Sequence, residues 1–400
     1  MRLLSATLDR IRPSPTVAVT DRARALKAAG RDVIGLGAGE PDFDTPDHIK
    51  AAAIRAIEAG ETKYTAVDGM DALKDAVAAK FARENGLDYG RDEISVAAGG
   101  KHILFNAMLA TLDPGDEVVI PAPYWVSYPD IVRLAGGTPV ILPCAMAAGF
   151  KLTPEALRAA LTPRTKWLVL NSPSNPTGVA YTRDEIAALA EVVRDFPDLH
   201  VMSDDIYEHL VYDGFEVATI AAVAPDLRDR VLTCNGVSKA YAMTGWRIGY
   251  AGGPAHLIAA MRKLQSQSTT NPSSISQHAA LAALEGPQEF LADFRRAFAR
   301  RRDLVVARLD TVPGITCPRP DGAFYVYPDI SGCLGKTSPG GTLIDSDEAF
   351  ATALLEEAGV AVVFGAAFGL SPHFRVSYAT DDETLQRACD RIGDFCAALR

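Results

Sequence analysis

Short apolar runs recur along the chain and are separated by turn-forming residues and longer amphipathic segments. The apolar runs predict buried strands at residues 33–36, 94–96, 117–121, 167–171, 200–203 and 231–233. The amphipathic segments predict helices at residues 20–30, 47–59, 71–85, 255–263 and 288–310. Strands that alternate with helices indicate an α/β fold, in which ligands bind at the carboxyl ends of the strands.

The two ends of the chain have their own patterns. Residues 11–19 contain two prolines and predict an irregular arm, with Thr20 as the N-cap of the first helix. The long helix at 288–310 is expected to bridge two domains, and the arginines within 295–302 are interpreted mostly as its solvated face. Beyond it, a smaller domain is predicted, with a helix at 346–359 and strands at 322–327, 360–364 and 374–378.

The composition is that of a globular enzyme with one large core and a smaller one. The chain has 400 residues, of which 48% are hydrophobic and 22% are charged. The net charge is 40 minus 50, or −10, which argues against binding to nucleic acid or to an anionic membrane surface. An anionic substrate would therefore need local arginines or lysines.

Cysteine and histidine spacing predicts no metal site and no redox dithiol. The six cysteines form no C-x-x-C pair and the seven histidines form no H-E-x-x-H motif. Scattered cysteines fit a reducing compartment. Residues 3–8 are too short for a secretory signal, and the uncharged run 134–150 is too short and too rich in Gly and Pro to span a membrane. These features predict a cytoplasmic protein.

The stretch Asn235–Tyr250, NGVSKAYAMTGWRIGY, suggests chemistry with a phosphate-bearing aldehyde. A desolvated lysine such as Lys239 is neutral and nucleophilic, so it can form an imine with a carbonyl. Arg247 can bind a phosphate through two parallel N–H bonds. A lone lysine is more often a solvated surface charge, but the buried strand before Lys239 and the aromatic residues after it favour a buried position.

Two glycine-rich segments add to this picture. Gly99-Gly100 follows a strand and precedes a helix, and free N–H groups at a helix start bind anions. Residues 35–46, GLGAGEPDFDTP, resemble a dinucleotide fingerprint at first sight. That interpretation fails, because Glu40 takes the place of the third glycine and Pro41 blocks a helix start. The glycines instead indicate a backbone that passes close to a ligand.

Together these motifs, which run in order from residue 11 to residue 380, resemble the class I aminotransferases of fold type I, which use pyridoxal 5'-phosphate (PLP). The resemblance implies a large domain with a mostly parallel, seven-stranded sheet between helices, and a smaller α+β domain. It places an N-terminal arm and part of the small domain at 1–45, the large PLP-binding domain at 46–300 and the small C-terminal domain at 301–400. A homodimer with shared active sites is also implied.

The resemblance assigns most of the cofactor site. Lys239 would carry the cofactor, and Asp204 would keep its pyridine nitrogen protonated, whereas the neighbouring Asp205 would point away. Tyr207 and Asn175 would bond its phenolic oxygen, and the bond Asn175–Pro176 is expected to be cis. The complete implied set of cofactor-binding residues is Gly99, Gly100, Lys101, Trp125, Asn175, Asp204, Tyr207, Ser238, Lys239, Arg247 and, from the partner subunit, Tyr64.

The subgroup resembled most is the bacterial and plastid branch of aspartate aminotransferases, some of which also use prephenate. Arg375 lies in an apolar strand and would bind the substrate α-carboxylate. The other main branch uses an arginine in the segment that matches 265–271, which here is QSQSTTN. Lys101, with Ser14, would replace it, and Thr16 accompanies prephenate use in this branch. The implied substrate-binding residues are Gly39, Trp125, Asn175, Arg375, Lys101, Ser14 and Thr16.

The resemblance therefore implies transfer of the amino group of L-aspartate to 2-oxoglutarate, which gives oxaloacetate and L-glutamate by ping-pong kinetics through Lys239. The resemblance also implies prephenate as a second acceptor, which would form arogenate. The partners would be small amino acids and 2-oxo acids. Three alternatives stay open: an aminotransferase for another amino acid, aromatic or otherwise; a PLP-dependent lyase or decarboxylase on the same fold; and a non-enzymatic PLP-binding regulator, for which the chain offers no basic DNA-binding module.

Overall fold

A seven-stranded sheet forms the centre of the larger part of the molecule in this computed structural model, which describes residues 3–400. The strands of all sheets in residues 3–400 are, in chain order, β1 Ile34–Gly35, β2 Ile94–Ala97, β3 Glu117–Ala122, β4 Thr138–Pro143, β5 Thr165–Asn171, β6 His200–Asp204, β7 Val231–Gly236, β8 Gly249–Gly252, β9 Tyr325–Val326, β10 Val360–Ala361, β11 Val363–Phe364 and β12 Phe374–Ser377.

Helices surround this sheet and build the remainder of the molecule. They are α1 Pro15–Ala28, α2 Asp47–Glu58, α3 Asp71–Lys80, α4 Gly100–Thr111, α5 Tyr128–Leu134, α6 Pro154–Ala160, α7 Arg183–Asp195, α8 Ile220–Val223, α9 Ala255–Ser266, α10 Ser274–Glu285, α11 Phe290–Leu309, α12 Asp347–Ala353 and α13 Asp382–Ala397. Single π-helical turns extend α3 and α12, at Phe81–Asn85 and Leu354–Ala358.

The strand order in the large sheet is β2-β8-β7-β6-β5-β3-β4. The four pairings from β7 through β4 are parallel, whereas β8 runs antiparallel to both β7 and β2. The predicted mostly parallel seven-stranded sheet is therefore confirmed. Because β2 and β7 both oppose β8, β2 points in the same direction as the parallel strands. The carboxyl ends of β2, β3, β5, β6 and β7 consequently meet at one edge.

Both faces of the large sheet are covered, as parallel sheets require. Along β3, Val119 packs into one core with helices α3, α7 and α10, whereas Val118 and Ile120 pack into a second core with α4 and α9. Along β5, Leu168 packs into the first of these cores and Val169 packs into the second. This alternation follows from the two-residue period of a strand, and it explains why these strands are apolar throughout.

A third core belongs to the smaller part of the molecule. It contains residues of β9, β10 and β12 and helix α13, and the small sheet has the order β11-β12-β9. Helix α11 joins the cores, because Leu291 near its start packs into the first core and Phe298 and Val305 pack into this one. The helix thus bridges the two parts, as predicted, whereas domain boundaries at residues 45/46 and 300/301 stay a prediction.

The predicted start of the first helix was wrong. Helix α1 begins at Pro15 with Ser14 as N-cap, so the irregular arm ends five residues earlier than expected. Proline is favoured at the first helical position because its fixed φ suits the helix and its missing N–H is not needed there. The Thr20 hydroxyl donates to the Thr16 carbonyl one turn earlier, so Thr20 is an interior residue and not a cap.

Two further expectations need correction. The predicted strand at 360–364 is divided, since β10 pairs with β1 and β11 pairs with β12 in a different sheet. The arginines of α11 are not all solvated. Arg301 and Arg302 are buried and form ion pairs with Asp42 and Asp213. Along residues 3–400, no helix is long and apolar enough to cross a membrane.

Candidate active site

A cavity of about 450 Å³ lies at the carboxyl edge of the large sheet, where the predicted residues converge. The expectation that the strand ends form the site is met, because the ends of β2, β3, β5, β6 and β7 each contribute to the wall. The predicted residues that line the cavity are Thr16, Gly39, Gly100, Lys101, Trp125, Asn175, Asp204, Tyr207, Ser238, Lys239, Arg247 and Arg375.

Lys239 lies in the turn that follows β7, and its amine faces the cavity. Its Nζ donates a hydrogen bond of 2.6 Å to the carbonyl oxygen of Gly39. Burial, together with the positive charges of Arg247 and Arg375, lowers the pKa of Lys239 to about 8. Near neutral pH the uncharged fraction of this amine is therefore much larger than that of an ordinary lysine, and the uncharged amine is the state that attacks a carbonyl.

One end of the cavity has the features of an anion site. Helix α4 begins at Gly100, so its first N–H groups are free of intrahelical partners. Gly99 has a φ of +92°, and a Cβ there would lie 2.2 Å from Nη2 of Arg247. Glycine is thus needed both for the turn and for the approach of the guanidinium. Ser238 lies in the same wall. An N-terminal helix end, a hydroxyl and an arginine fit a phosphate group.

At the deep end, Asp204 closes strand β6. Its Oδ2 accepts a hydrogen bond of 2.6 Å from the hydroxyl of Tyr128, and burial raises its pKa. Asp205 points elsewhere, as predicted by strand alternation, and its Oδ1 accepts from Ser203 Oγ at 2.7 Å. Burial and the charge of Glu208 raise the pKa of Asp205 to about 7. A cation beside Asp204 would favour its ionised form.

Aromatic side chains and amides complete the floor. The Trp125 ring lies edge-on to Tyr128, with ring centroids 5.3 Å apart. The Tyr207 hydroxyl is 3.0 Å from that of Tyr325. Asn171 donates to the carbonyl of Asp204 and accepts from the N–H of Asn175, so it connects two strand ends. The Asn175–Pro176 bond is cis, as predicted.

Arg375, on β12, is a fully buried cation. Its Nη1 donates to Asn175 Oδ1 at 2.8 Å and its Nη2 to the carbonyl of Gly37 at 2.6 Å, while Nε has no partner. The guanidinium lies 4.6 Å from the Tyr325 ring and 5.0 Å from the Phe368 ring. Among residues 3–400, no carboxylate lies within 4.0 Å of it.

A buried cation without a counter-ion is costly, so this arrangement favours an anionic ligand. The residues around the cavity also fit PLP by type: an anion site with Arg247, a buried carboxylate at Asp204, an aromatic ring at Trp125, and Lys239 between them. The fit is supported by the close approach of Gly99 and Arg247 and by the unpartnered Nε of Arg375.

Three predicted residues lie outside the cavity wall. Gly99 lies against the guanidinium of Arg247, where a Cβ would be 2.2 Å from Nη2. Ser14 caps helix α1, and its Oγ lies 2.9 Å from Oγ1 of Thr16, which does line the cavity. Tyr64 lies away from this cavity with 88% of its surface exposed, a position that leaves its ring available to another chain.

Lys101 lies at the mouth of the cavity. Its Nζ is 5.0 Å from the centre of the Trp125 ring, and partial burial together with the charge of Arg247 lowers its pKa. Several wall residues were missed from the sequence, among them Gly37, Asn171 and the aromatic residues Tyr128 and Tyr325. Tyr128 follows Trp125 by three residues at a helix start, and Tyr325 lies in a predicted strand. Neither position carries a signal that distinguishes it from a core aromatic.

Comparison with known proteins agrees with this geometry. The family model for aminotransferase class I and II matches residues 31–392. The chain is 69% identical over 399 residues to an aspartate/prephenate aminotransferase of Cereibacter sphaeroides, with 100% of both chains covered. It is 56% identical over 395 residues to an aspartate aminotransferase of Rhizobium meliloti, covering 99% of this chain and 96% of the relative.

Solved structures give the same result. The crystal structure of the aspartate aminotransferase from Rhizobium meliloti superposes with a TM-score of 0.97 at 55% identity, covering all of both chains. The aspartate aminotransferase of Thermus thermophilus with maleate superposes with a TM-score of 0.92 at 47% identity, covering 99% of this chain and 100% of the other. Enzymes of this type use pyridoxal 5'-phosphate. The chain belongs to the class I and II aminotransferases and is a PLP-dependent transferase of fold type I.

Proposed function

We propose that this aminotransferase transfers the amino group of L-aspartate to 2-oxoglutarate and also accepts prephenate, which would give arogenate. The observation that carries the proposal is the buried guanidinium of Arg375, which has no carboxylate partner among residues 3–400. The α-carboxylate of an amino acid would supply that partner through bidentate hydrogen bonds.

The residues assigned to the cofactor follow from the wall of the cavity. PLP, when bound, supplies an electron sink that stabilises negative charge at the substrate Cα. The N-terminus of α4, Ser238 and Arg247 would bind its phosphate. The carboxylate of Asp204 would bind its ring nitrogen, and the Tyr128 hydroxyl keeps that carboxylate in orientation. Gly99, Trp125, Asn175 and Tyr207 would complete the set.

Lys239 has the role of acid and base. Its pKa of about 8 lets Nζ take up a proton from the substrate Cα and return one near neutral pH. Gly39 accepts from this amine at 2.6 Å and thereby limits its orientation.

We assign recognition of the substrate's second carboxylate to Lys101 and Thr16. Ser14 lies outside the cavity wall and contacts the hydroxyl of Thr16. The segment 265–271 contains no arginine, and Gln265 is buried, with its amide bound to the carbonyls of Val67 and Val96. Within residues 3–400, two further cations line the cavity, Lys101 and Arg24. Arg24 is already paired with Asp21 at 3.1 Å, so Lys101 is the one that we assign to the second carboxylate. The names of the relatives from Cereibacter sphaeroides and Rhizobium meliloti support aspartate and, for the former, prephenate.

A homodimer is part of the proposal. Tyr64 is exposed and lies outside its own cavity, and Ile54 and Ile57 on α2 are more than half exposed. An adjacent copy would cover these side chains and bring Tyr64 towards the phosphate end of the partner's cavity. Sedimentation velocity measures the oligomeric state. A fully active protein that sediments as a monomer would contradict this arrangement.

The test is a pair of half-reactions on the purified, PLP-loaded protein. Glutamate should bleach the yellow absorbance of the cofactor, and oxaloacetate or prephenate, added separately, should restore it. Recovery with both acceptors supports the proposal, and recovery with oxaloacetate alone limits it to aspartate. Release of CO₂ or pyruvate would instead indicate a decarboxylase or lyase, and recovery only with other oxo acids an aminotransferase of different specificity. Absence of bleaching would contradict the proposal.

A further inference from the structure

We propose that the ion pair between Arg301 and Asp42 is a positioning pair, which fixes residues 36–46 so that their carbonyls orient Arg375 and Lys239 for substrate. We call residues 36–46 the strap, since they cross the cavity between β1 and α2. The inference rests on the proposed function, and it adds two residues that do not line the cavity.

At its first end the strap bonds both cationic groups of the site. Nη2 of Arg375 donates to the carbonyl of Gly37, and Nζ of Lys239 donates to that of Gly39, each at 2.6 Å. A Cβ on Gly39 would lie 2.9 Å from the hydroxyl of Tyr325, so the strap has no free space on that side. A displacement of its backbone therefore moves two acceptors at once.

At its other end the strap is attached to helix α11. Asp42 accepts from Nη1 and Nη2 of Arg301 at 2.7 and 2.8 Å. The side chain of Arg301 is only 7% exposed, and its guanidinium lies over the rings of Phe43 and Phe298. Phe43 also stacks on Phe294, with centroids 4.0 Å apart. A bidentate pair on a buried arginine is directional. Nε of Arg301 also lies 3.5 Å from Oδ1 of Asp382, so loss of Asp42 leaves the guanidinium with this carboxylate, which does not contact it through the bidentate geometry.

The connection between the two ends is short. Only Glu40 and Pro41 separate Gly39 from Asp42. Proline restricts its own φ and disfavours the helical conformation of the residue before it, so this segment absorbs little displacement. Glu40 also accepts from the Thr244 hydroxyl at 3.0 Å. Movement of Asp42 is therefore transmitted to the carbonyl that Lys239 bonds.

The same helix supplies a matched control. Arg302, the next residue, is 1% exposed and forms a bidentate pair with Asp213 at 2.8 and 3.2 Å. Asp213 lies outside the strap, and neither residue lines the cavity. A change at Arg302 thus disturbs the ion pair of a similarly buried arginine on the same helix, with a more exposed carboxylate, without touching the strap.

The experiment compares Asp42→Asn and Arg301→Lys with Arg302→Lys, all in the PLP-loaded protein. Amide hydrogen exchange of the peptide covering 36–46 is measured by mass spectrometry, and calorimetry gives the Kd for maleate, a dicarboxylate. We expect both test variants to exchange about tenfold faster in the strap and to bind maleate about tenfold more weakly. The control should stay within about twofold of the parent in both measurements. Asp42 is 28% exposed, so Asp42→Asn is expected to fold.

Unchanged exchange in the test variants would overturn the proposal, and so would faster exchange without weaker binding. An equal effect of Arg302→Lys would overturn it as well, because the loss would then reflect general destabilisation. If the parent itself does not bind maleate, the proposed dicarboxylate specificity fails. In that case two measurements decide the role of the Arg301–Asp42 ion pair. They are the hydrogen exchange of the strap and the KM for the amino acid that the parent does accept.

Discussion

The two sides of the cavity are built in different ways. On the cofactor side, Asp204, Asn175 and Lys239 each follow a strand of one sheet, so their backbone positions derive from a single hydrogen-bonded framework. On the substrate side, Arg375 comes from a separate small sheet, and it is oriented by the carbonyl of Gly37 and the amide of Asn175. The first side is a continuous scaffold, whereas the second is assembled from distant segments.

This difference indicates where each side is sensitive. On the cofactor side, we expect a substitution to remove only the chemical group of the replaced side chain, because the sheet keeps its shape. Groups on the substrate side also depend on residues that never contact substrate, such as those that fix residues 36–46. Substitutions on both sides should separate these two behaviours.

The largest effect is expected for Lys239→Ala. Loss of the Lys239 amine should lower kcat by about 100- to 10,000-fold, while PLP is still retained weakly. Stopped-flow absorbance of the glutamate half-reaction measures the rate, and dialysis with fluorescence measures retention. Turnover within tenfold of the parent would remove Lys239 from its assigned role.

Arg375→Met should follow. Removal of one partner from a buried charge pair with the α-carboxylate is expected to lower kcat/KM by about 100- to 1,000-fold for every amino acid tested. Arg375→Lys should recover part of the loss, because an ammonium offers one hydrogen bond in place of two. A loss restricted to aspartate and glutamate would show that Arg375 binds the distal carboxylate instead.

Tyr128→Phe tests the cofactor side at a residue that the sequence did not indicate. The hydroxyl bonds Asp204 Oδ2 at 2.6 Å and lowers the pKa of that carboxyl, against the effect of burial. Its removal should weaken PLP binding by about 10- to 100-fold, as for a hydrogen bond to a charged group. Equilibrium dialysis measures the Kd for PLP, and Tyr124→Phe, whose ring is not bonded to Asp204, is the control. Equal Kd values for both variants would contradict the role.

Lys101→Ala should change specificity more than overall activity. Its ammonium is exposed, so we expect about a tenfold loss in kcat/KM for aspartate and a smaller loss for an apolar amino acid. The ratio of the two values is the measurement, with Lys101→Arg as the charge-conserving control. Equal losses for both substrates would show that Lys101 does not bind the distal carboxylate.

The pH dependence is the smallest and most diagnostic effect. Lys239 has a pKa of about 8, and its neutral form, present above that value, is the base. The kcat of the glutamate half-reaction should therefore rise with pH through about 8 and reach a plateau. Because the charge of Arg375 contributes to the lowered pKa, Arg375→Met should move this limb to higher pH. A flat profile between pH 7 and 9 would contradict the assignment.

Much of the fold was predictable from local patterns. The strands β5, β6 and β7 each contain a short apolar run, and a polar residue that the site uses lies at or after the end of each strand. The start of α1 was not predictable from the Thr20 cap signal, because Ser14-Pro15 offers a competing signal five residues earlier. The burial of Arg301 and Arg302 was missed since helical spacing does not show which carboxylates other segments bring near.

The sequence by itself determined the chemistry on the strand ends. Lys239, Asp204 and Asn175 follow apolar strands, and parallel strands in one sheet must place their carboxyl ends together. Only the tertiary structure decided how the groups of the substrate side are oriented. Arg375 lies 338 residues from Gly37 in sequence and Arg301 lies 259 residues from Asp42, and no local propensity encodes their approach. Their positions depend on how the strap and the small sheet pack, because a buried charge is stable only where the whole fold gives it a partner.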